Sequence, residues 1–254
     1  MERLRKPFEG VTNIIRFNWH FYVLAMLFLV ALLVLKNFID QSIFIYIDII
    51  LIAVIVTSLL SLFVSWFIYD ASGLYTLQWL DKLIVSENEN MVNIHAGFDE
   101  TSALLKNKYP ANQLKVFDFY DPAKHTEISI KRARKAVPPY KGTTAITTNH
   151  IPLESHSVDK IFLLFAAHEI RDNEERVHCF SELSRILKED GKIIITEHLR
   201  DWSNFIAYNI GFLHFLPANT WQQTFDGAKL QIENSIKITP FITTYILAKH
   251  DPAS

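Results

Sequence analysis

The sequence predicts an α/β domain, a mostly parallel sheet with a C-terminal antiparallel strand, preceded by two transmembrane α-helices. Three observations predict it. Two long uncharged apolar runs fall before residue 70. After residue 90, short apolar runs alternate with charged segments of helical period. Two strand-like runs, "LQIENSIKIT" and "FITTYILAK", then meet at Pro240. Strand–helix alternation with near-continuous apolar strands is the pattern of a parallel sheet covered on both faces.

The first apolar run is "FNWHFYVLAMLFLVALLVL", 19 residues between Arg16 and Lys36; the second is Ile49 to Tyr69, 21 residues. About 20 apolar residues, at ~1.5 Å per helical residue, cross the ~30 Å hydrocarbon layer. Neither run has a polar face to show water, and no small-residue cleavage site follows the first. Trp19, His20, Phe21 and Tyr22 open the first span, and Trp66 and Tyr69 close the second, as an aromatic belt does. Arg3, Arg5, Lys6 and Arg16 precede the first span, whereas the connection Lys36 to Gln41 balances Lys36 against Asp40. That bias places both termini and the C-terminal domain in the cytoplasm, in a two-pass inner or plasma membrane protein. Asp48, near the entrance of the second span, is expected at the interface.

The chain of 254 residues is thus expected to divide into a hairpin (1–70), an amphipathic linker (71–90) and a domain (91–254). In the linker, Leu74, Leu77, Trp79, Leu80, Leu83 and Ile84 could form one apolar face, against the bilayer or the next domain. Net charge is −2, which gives no electrostatic footprint for nucleic acid. A single cysteine, Cys179, excludes an internal disulfide and is expected to be structural.

In the domain, strands are expected at "MVNIHA" (91–96), "LKVFDFY" (114–120), "TTAITT" (143–148), "KIFLLFA" (160–166) and "KIIITEH" (192–198). Helices are expected from near Glu100, Ala123 and Asp172. The third has Asp172 as N-cap, acids in its first turn and Gly191 at its end. Ligands of such sheets bind at the carboxyl ends of the strands. Those ends carry His95 to Asp99, Asp118 to Asp121, Asn149 and His150, Ala167 to Glu169, and Glu197 with His198.

The run "NHIPLESHSVDKIFLLFAAHEIRDNEERVHCFSELSRILKEDGKIIITEH" resembles the class I S-adenosylmethionine (SAM)-dependent methyltransferases. Within them it is most similar to the type 11 small-molecule branch that includes ubiquinone and menaquinone C-methyltransferases. "LHFLPANTWQQTF" resembles that branch's later segment, and the likeness is spread over residues 91 to 248. The resemblance implies a Rossmann-like sheet, SAM as cofactor and methyl transfer as the activity.

The family pattern after strand one is an acidic residue followed by Gly-x-Gly-x-Gly. Here Asn93 stands for the acid, His95 for the first glycine, Gly97 for the second and Asp99 for the third. Glycines there let the backbone turn sharply and approach the cofactor closely. By resemblance Asn93, His95, Gly97 and Asp99 are cofactor-binding positions, with Asp99 or Asn93 facing the methionine ammonium. Asp118 or Asp121 would take the ribose diol and Asn149 the adenine, and Ala166 is a further cofactor-binding position. Both aspartates equally suit an ordinary turn.

SAM carries an activated methyl, so the protein chiefly aligns the reactants. A phenol or enol acceptor benefits from a base near pH 7, for which His168 is the first candidate and His198 the second. A metal shared by His95, His168 and His198, with Glu169 and Glu197, lacks a compact ligand motif, so no metal is expected. "KRARK" (131–135) is either a membrane-phosphate patch or an exposed helix face. The expected function is a membrane-anchored methyltransferase acting on an apolar small molecule or lipid, phenolic, quinone-like or pigment-like, beneath a lid running from Trp202 to Trp221. Two alternatives are a catalytically degenerate domain serving as a membrane-tethered interaction module, and a phospholipid N-methyltransferase.

Overall fold

In a computed structural model of the protein, which describes residues 5–83 and 86–250, the N-terminal part is a pair of antiparallel helices. Arg3 and Ile84 lie outside the described residues. Helix α1 (Glu9–Leu35) and helix α2 (Phe44–Trp66) are both long and apolar enough to cross a membrane. Leu24, Leu27, Leu33, Ile52, Leu59 and Phe63 are each more than half exposed, so the hairpin turns its apolar side chains outward. Helix α1 kinks at Asn18 (φ −114°, ψ 17°), whose amide reaches back to the Ile14 carbonyl at 3.1 Å.

The hairpin is closed at both ends by carboxylates. At the connection, Lys36 Nζ meets Asp48 Oδ1 at 2.7 Å, which gives the second-span aspartate its partner. At the other end, Asp70 accepts the N–H groups of Gly10 and Val11 at 2.8 and 2.9 Å, capping the start of α1. The helices meet closely there. A Cβ on Gly10 would stand 2.3 Å from the Tyr69 Cβ.

The linker forms two short 3-10 turns, Leu74–Thr76 and Gln78–Lys82, separated by Leu77 in the left-handed region (φ 55°). Leu77 and Leu80 are buried against Met91, Leu105 and Phe162, so the domain, not the bilayer, takes this apolar face.

The domain is built on seven strands: β1 (Asn90–His95), β2 (Gln113–Asp118), β3 (Thr144–Ala145), β4 (Val158–Leu164), β5 (Leu187–His198), β6 (Leu230–Thr239) and β7 (Ile242–Lys249). Their order is β3-β2-β1-β4-β5-β7-β6, with β1 to β5 parallel and β7 antiparallel to β5. The order reverses between β1 and β4, so the crevice of a doubly wound sheet falls there. Strands β1 and β4, and β5 from Ile193 onward, are buried along nearly their whole length, which explains their mostly apolar sequence. Helices α3 (Ser102–Lys108), α4 (Ile128–Ala136), α5 (Asn173–Ile186), α6 (Trp202–Tyr208) and α7 (Ala218–Gly227) complete the domain.

Three local expectations shift. Helix α5 begins under the Asp172 cap as expected but ends at Ile186, because Leu187 is already extended and pairs with Val158; Gly191 lies inside β5. Strand β3 shrinks to two residues because Thr147 and His150 pair across a tight turn. Helix α4 starts five residues beyond Ala123, since Asp121 caps a turn by accepting the Ala123 N–H at 2.8 Å.

Replacing Asp70 by alanine leaves two N–H groups at the start of α1 without their cap. The expected cost is about 1–2 kcal/mol, read as a melting temperature a few degrees lower in detergent. The conservative Asp70→Asn change should lose less.

Candidate cofactor cleft at the carboxyl rim of the sheet

The first rim turn follows β1. Gly97 has φ +91°, a conformation that favours glycine, and its N–H donates to His95 Nδ1 at 3.1 Å. Asp99 Oδ1 accepts the N–H groups of Thr101 and Ser102 at 3.0 and 2.9 Å, so this aspartate holds the start of α3. The buried Asn93 amide donates to the Thr101 and Ser102 hydroxyls at 3.0 and 2.8 Å. Burial pulls the His95 pKa down against the opposing pull of Asp99 and Asp118, so His95 is neutral at pH 7. Three buried polar atoms of this turn, Asn93 Oδ1, His95 Nε2 and Asp99 Oδ2, have no hydrogen-bond partner among the described residues.

The second turn follows β2. Asp118 ends that strand; its Oδ1 accepts the Tyr120 N–H at 2.9 Å and its Oδ2 pairs with Arg134 Nη1. Arg134, reaching from α4, lies over the Tyr120 ring at 4.3 Å. It also covers the first turn, since a Cβ on Gly97 would meet Arg134 Cδ and Nη1 at 2.8 Å. Of the "KRARK" run, then, Arg134 turns into the cleft. Arg132 turns toward α1, where it donates to the Phe17 carbonyl at 2.7 Å, and Lys131 and Lys135 face out. Asp121 is occupied by its own turn, and Asn149 is exposed on the turn after β3.

The far side of the rim belongs to β4 and β5. Phe165, just past β4, is held at φ 56°, a costly conformation for a bulky residue. Ala166 is fully packed beneath it. Buried His168 donates its backbone N–H to Glu197 Oε1 at 3.2 Å and places Nδ1 2.6 Å from Glu197 Oε2. Burial alone would pull the His168 pKa down, but Glu197 and Glu169 outweigh it and hold it at about 10. As an imidazolium at pH 7, His168 has no lone pair to receive a proton, which opposes its candidacy as the base.

His198 is the converse. Burial pulls its pKa to about 4, so the ring is neutral. Nδ1 lies 3.1 Å from both Asn204 Oδ1 and the Phe241 carbonyl, two acceptors, so it carries the hydrogen. Nε2 therefore accepts from the Tyr69 hydroxyl at 2.8 Å. Both ring nitrogens are spent, Nδ1 on partners within the domain and Nε2 on holding the hairpin to it.

Residues 100–195 match a protein family described as a methyltransferase domain. Comparison with curated proteins finds no match. Among solved structures, a SAM-dependent methyltransferase from Aquifex aeolicus is 16% identical, with a TM-score of 0.50 over 70% of this chain and 93% of that one. A second, from Methanosarcina mazei, is 13% identical, with a TM-score of 0.51 over 67% and 97%. The [4+2]-cyclase SpnF is 12% identical, with a TM-score of 0.51 over 71% and 81%. The fold is that of a class I methyltransferase. A cyclase on the same fold means that the reaction must be argued from the cleft itself.

What this methyltransferase fold adds is its cover. The hairpin and linker lie across the rim, and Glu100, one residue past Asp99, gathers them. It meets Arg5 Nη1 at 2.8 Å and accepts from the Tyr75 hydroxyl at 2.6 Å and the Asn13 amide at 3.4 Å. Phe17 packs edge-on against Phe98 at 5.5 Å. Beside this contact lies a cavity of ≈ 250 Å³ lined by Arg5, Asn13, Phe98, Asp99, Leu104 and Pro138. It falls below the roughly 300–1,000 Å³ of an open small-molecule site. Glu100, Tyr69 and Arg134 escaped sequence reasoning because their roles depend on a partner from another element.

A neutral buried His198 costs stability in acid. Its folded pKa lies below its unfolded value near 6.5, so its contribution is complete above pH 6.5 and lost as pH falls toward 4. Melting curves over that window should drop for the parent protein and be flatter for His198→Asn.

Proposed function

We infer that the protein is a SAM-dependent methyltransferase held at a membrane by its helical hairpin, with an apolar small molecule or lipid as acceptor. One observation carries this: the hairpin is docked on the carboxyl rim, the edge where such sheets bind their ligands, and not on the opposite edge. A substrate dissolved in the bilayer would reach the crevice without passing through water. The segment after β5 supports the same view. Trp202, Ile206, Ile210 and Leu213 are exposed on α6 and the 3-10 turn after it (Asn209–His214). On the inner side of α6, Ala207 packs with Val64 and Ile68 at the base of α2. An apolar surface continuous with the hairpin suits an interfacial lid.

The cleft fits the cofactor in kind. Asn93 Oδ1 and Asp99 Oδ2 are unpaired acceptors suited to an ammonium, and His95 Nε2, the protonated nitrogen of a neutral ring, is an unpaired donor suited to a carboxylate. Asp118, not the turn-bound Asp121, is the carboxylate placed for a ribose diol, and its release from Arg134 is the condition for binding. SAM supplies an activated sulfonium methyl. The chain's part is to hold the two ends, exclude water with Phe165, the hairpin and the lid, and orient the acceptor. Neither rim histidine is free to act as base, which favours an acceptor already ionised or a carbon or nitrogen nucleophile that needs little proton transfer.

A second possibility, a cofactor-free module tethered to the membrane, is favoured by the same Arg134, which fills the turn that should be open. Calorimetry on the detergent-solubilised protein separates the two. The methyltransferase should bind SAM, Asp118→Ala should weaken binding about tenfold or more, and Arg134→Ala should tighten it several-fold. Labelled SAM should then pass its methyl into a lipid or pigment extract, and mass spectrometry of the product would identify the acceptor atom. Folded protein that binds no SAM even as Arg134→Ala would leave only the tethered module.

A further inference from the structure

We propose that His168, Glu169 and His214 form a site for one divalent transition-metal cation on the acceptor side of the cleft. His168 and Glu169 stand on the single 3-10 turn after β4 (Ala167–Glu169), and His214 ends the 3-10 turn of the lid. One donor atom from each lies within 4.8 Å of the others. His168 Nε2 is 3.4 Å from Glu169 Oε1, and His214 Nε2 is 3.8 Å from the same oxygen. A cation about 2.0–2.2 Å from each donor asks for donors about 3–4 Å apart.

The orientation of the two imidazoles is the more telling feature. Each has its Nδ1 beside a carboxylate that belongs to a different element. For His168 the carboxylate is buried Glu197 of β5, at 2.6 Å. For His214 it is Glu127, before α4, at 3.0 Å. Carboxylates in this position fix the ring and its tautomer in metal-bound histidines and turn Nε2 toward the ion. Both Nε2 atoms here point at the Glu169 carboxylate, and the rings stand edge to face at 5.0 Å. Arg176, buried on α5, secures the turn from below by donating to the Ile170 carbonyl at 2.9 Å.

One chain cation already stands at this spot. Arg171 lies along the edge of the His214 ring, with Nη2 closest to Nδ1, 3.0 Å from Nε2 and 3.9 Å from Glu127. Its side chain is 42% exposed, so an incoming ion can displace it into solvent. Glu127, Glu169 and Glu197 here face two positive charges, the Arg171 guanidinium and the His168 imidazolium, and a divalent cation that displaced Arg171 and the Nε2 proton of His168 would bring the same charge in their place. Two imidazoles and one carboxylate select zinc, cobalt, manganese or iron over magnesium or calcium. Three protein donors leave a coordination position open, and the half-buried His214 side gives access to it. If the methyltransferase assignment holds, that position would take the acceptor's phenolate, enolate or carboxylate oxygen and keep it ionised, the task neither histidine performs alone. Metal binding itself does not rest on that assignment.

The test uses the full chain in detergent, stripped with chelator and titrated with cobalt(II), then with zinc by calorimetry, in the absence of SAM. One equivalent should bind, with cobalt absorption bands in the visible. His214→Ala and Glu169→Gln, at partly exposed positions that spare the core, should each weaken binding by about 100-fold or more. Glu127→Gln, which meets His214 at Nδ1 and not at the ion-facing Nε2, should weaken it about 10–100-fold. His150→Ala, a control on the turn after β3, should change nothing. Failure of the folded protein to bind either ion, or binding that His214→Ala and Glu169→Gln leave unaltered, would overturn the site. Because no cofactor is present, a protein that never binds SAM still gives a clear answer.

Discussion

The arrangement depends on one joint, the docking of an apolar hairpin on the ligand edge of a parallel sheet. Glu100 and the Tyr69–His198 pair make its polar part, and Phe17 on Phe98 its apolar part. These contacts bury groups that would otherwise need water, so losing one partner strands the other. The orientation of the domain, the shielding of the crevice and the packing of α6 against the hairpin all follow from this joint.

The three rim histidines show how environment divides identical side chains. His95 and His198 are neutral because burial wins; His168 is charged because two carboxylates win. Residue type alone suggests a proton acceptor at the rim, but the partners set what each ring can do: His198 holds Tyr69, His95 closes its own turn by accepting the Gly97 N–H, and His168 sits against Glu197.

Much of the sheet was legible in the sequence, because β1, β4 and the second half of β5 are buried on both faces and therefore read as mostly apolar runs. The C-terminal strand pair was legible for a related reason: β7 is almost wholly buried, and Pro240 marks the turn. The end of α5 was not, since Gly191 invites a helix stop while the pairing of Leu187 with Val158 is a long-range fact. The hairpin was visible as length and hydropathy, and the position of Asp118 as a strand-end carboxylate. Arg134 was not visible as a plug, because a basic helix face in sequence looks solvated wherever it points. His214 was hidden in an aromatic stretch, far along the chain from its neighbours.

The apolar cluster at the joint has owners on both sides. Val64 and Ile68 come from the hairpin, whereas Ala207 and Ile242 come from α6 and β7. A shortened chain that begins at the linker would therefore uncover a greasy scar on the domain instead of a finished surface. Such a fragment should clump when expressed alone, and biochemists wanting a tractable protein would do better to keep the helices and choose a good detergent.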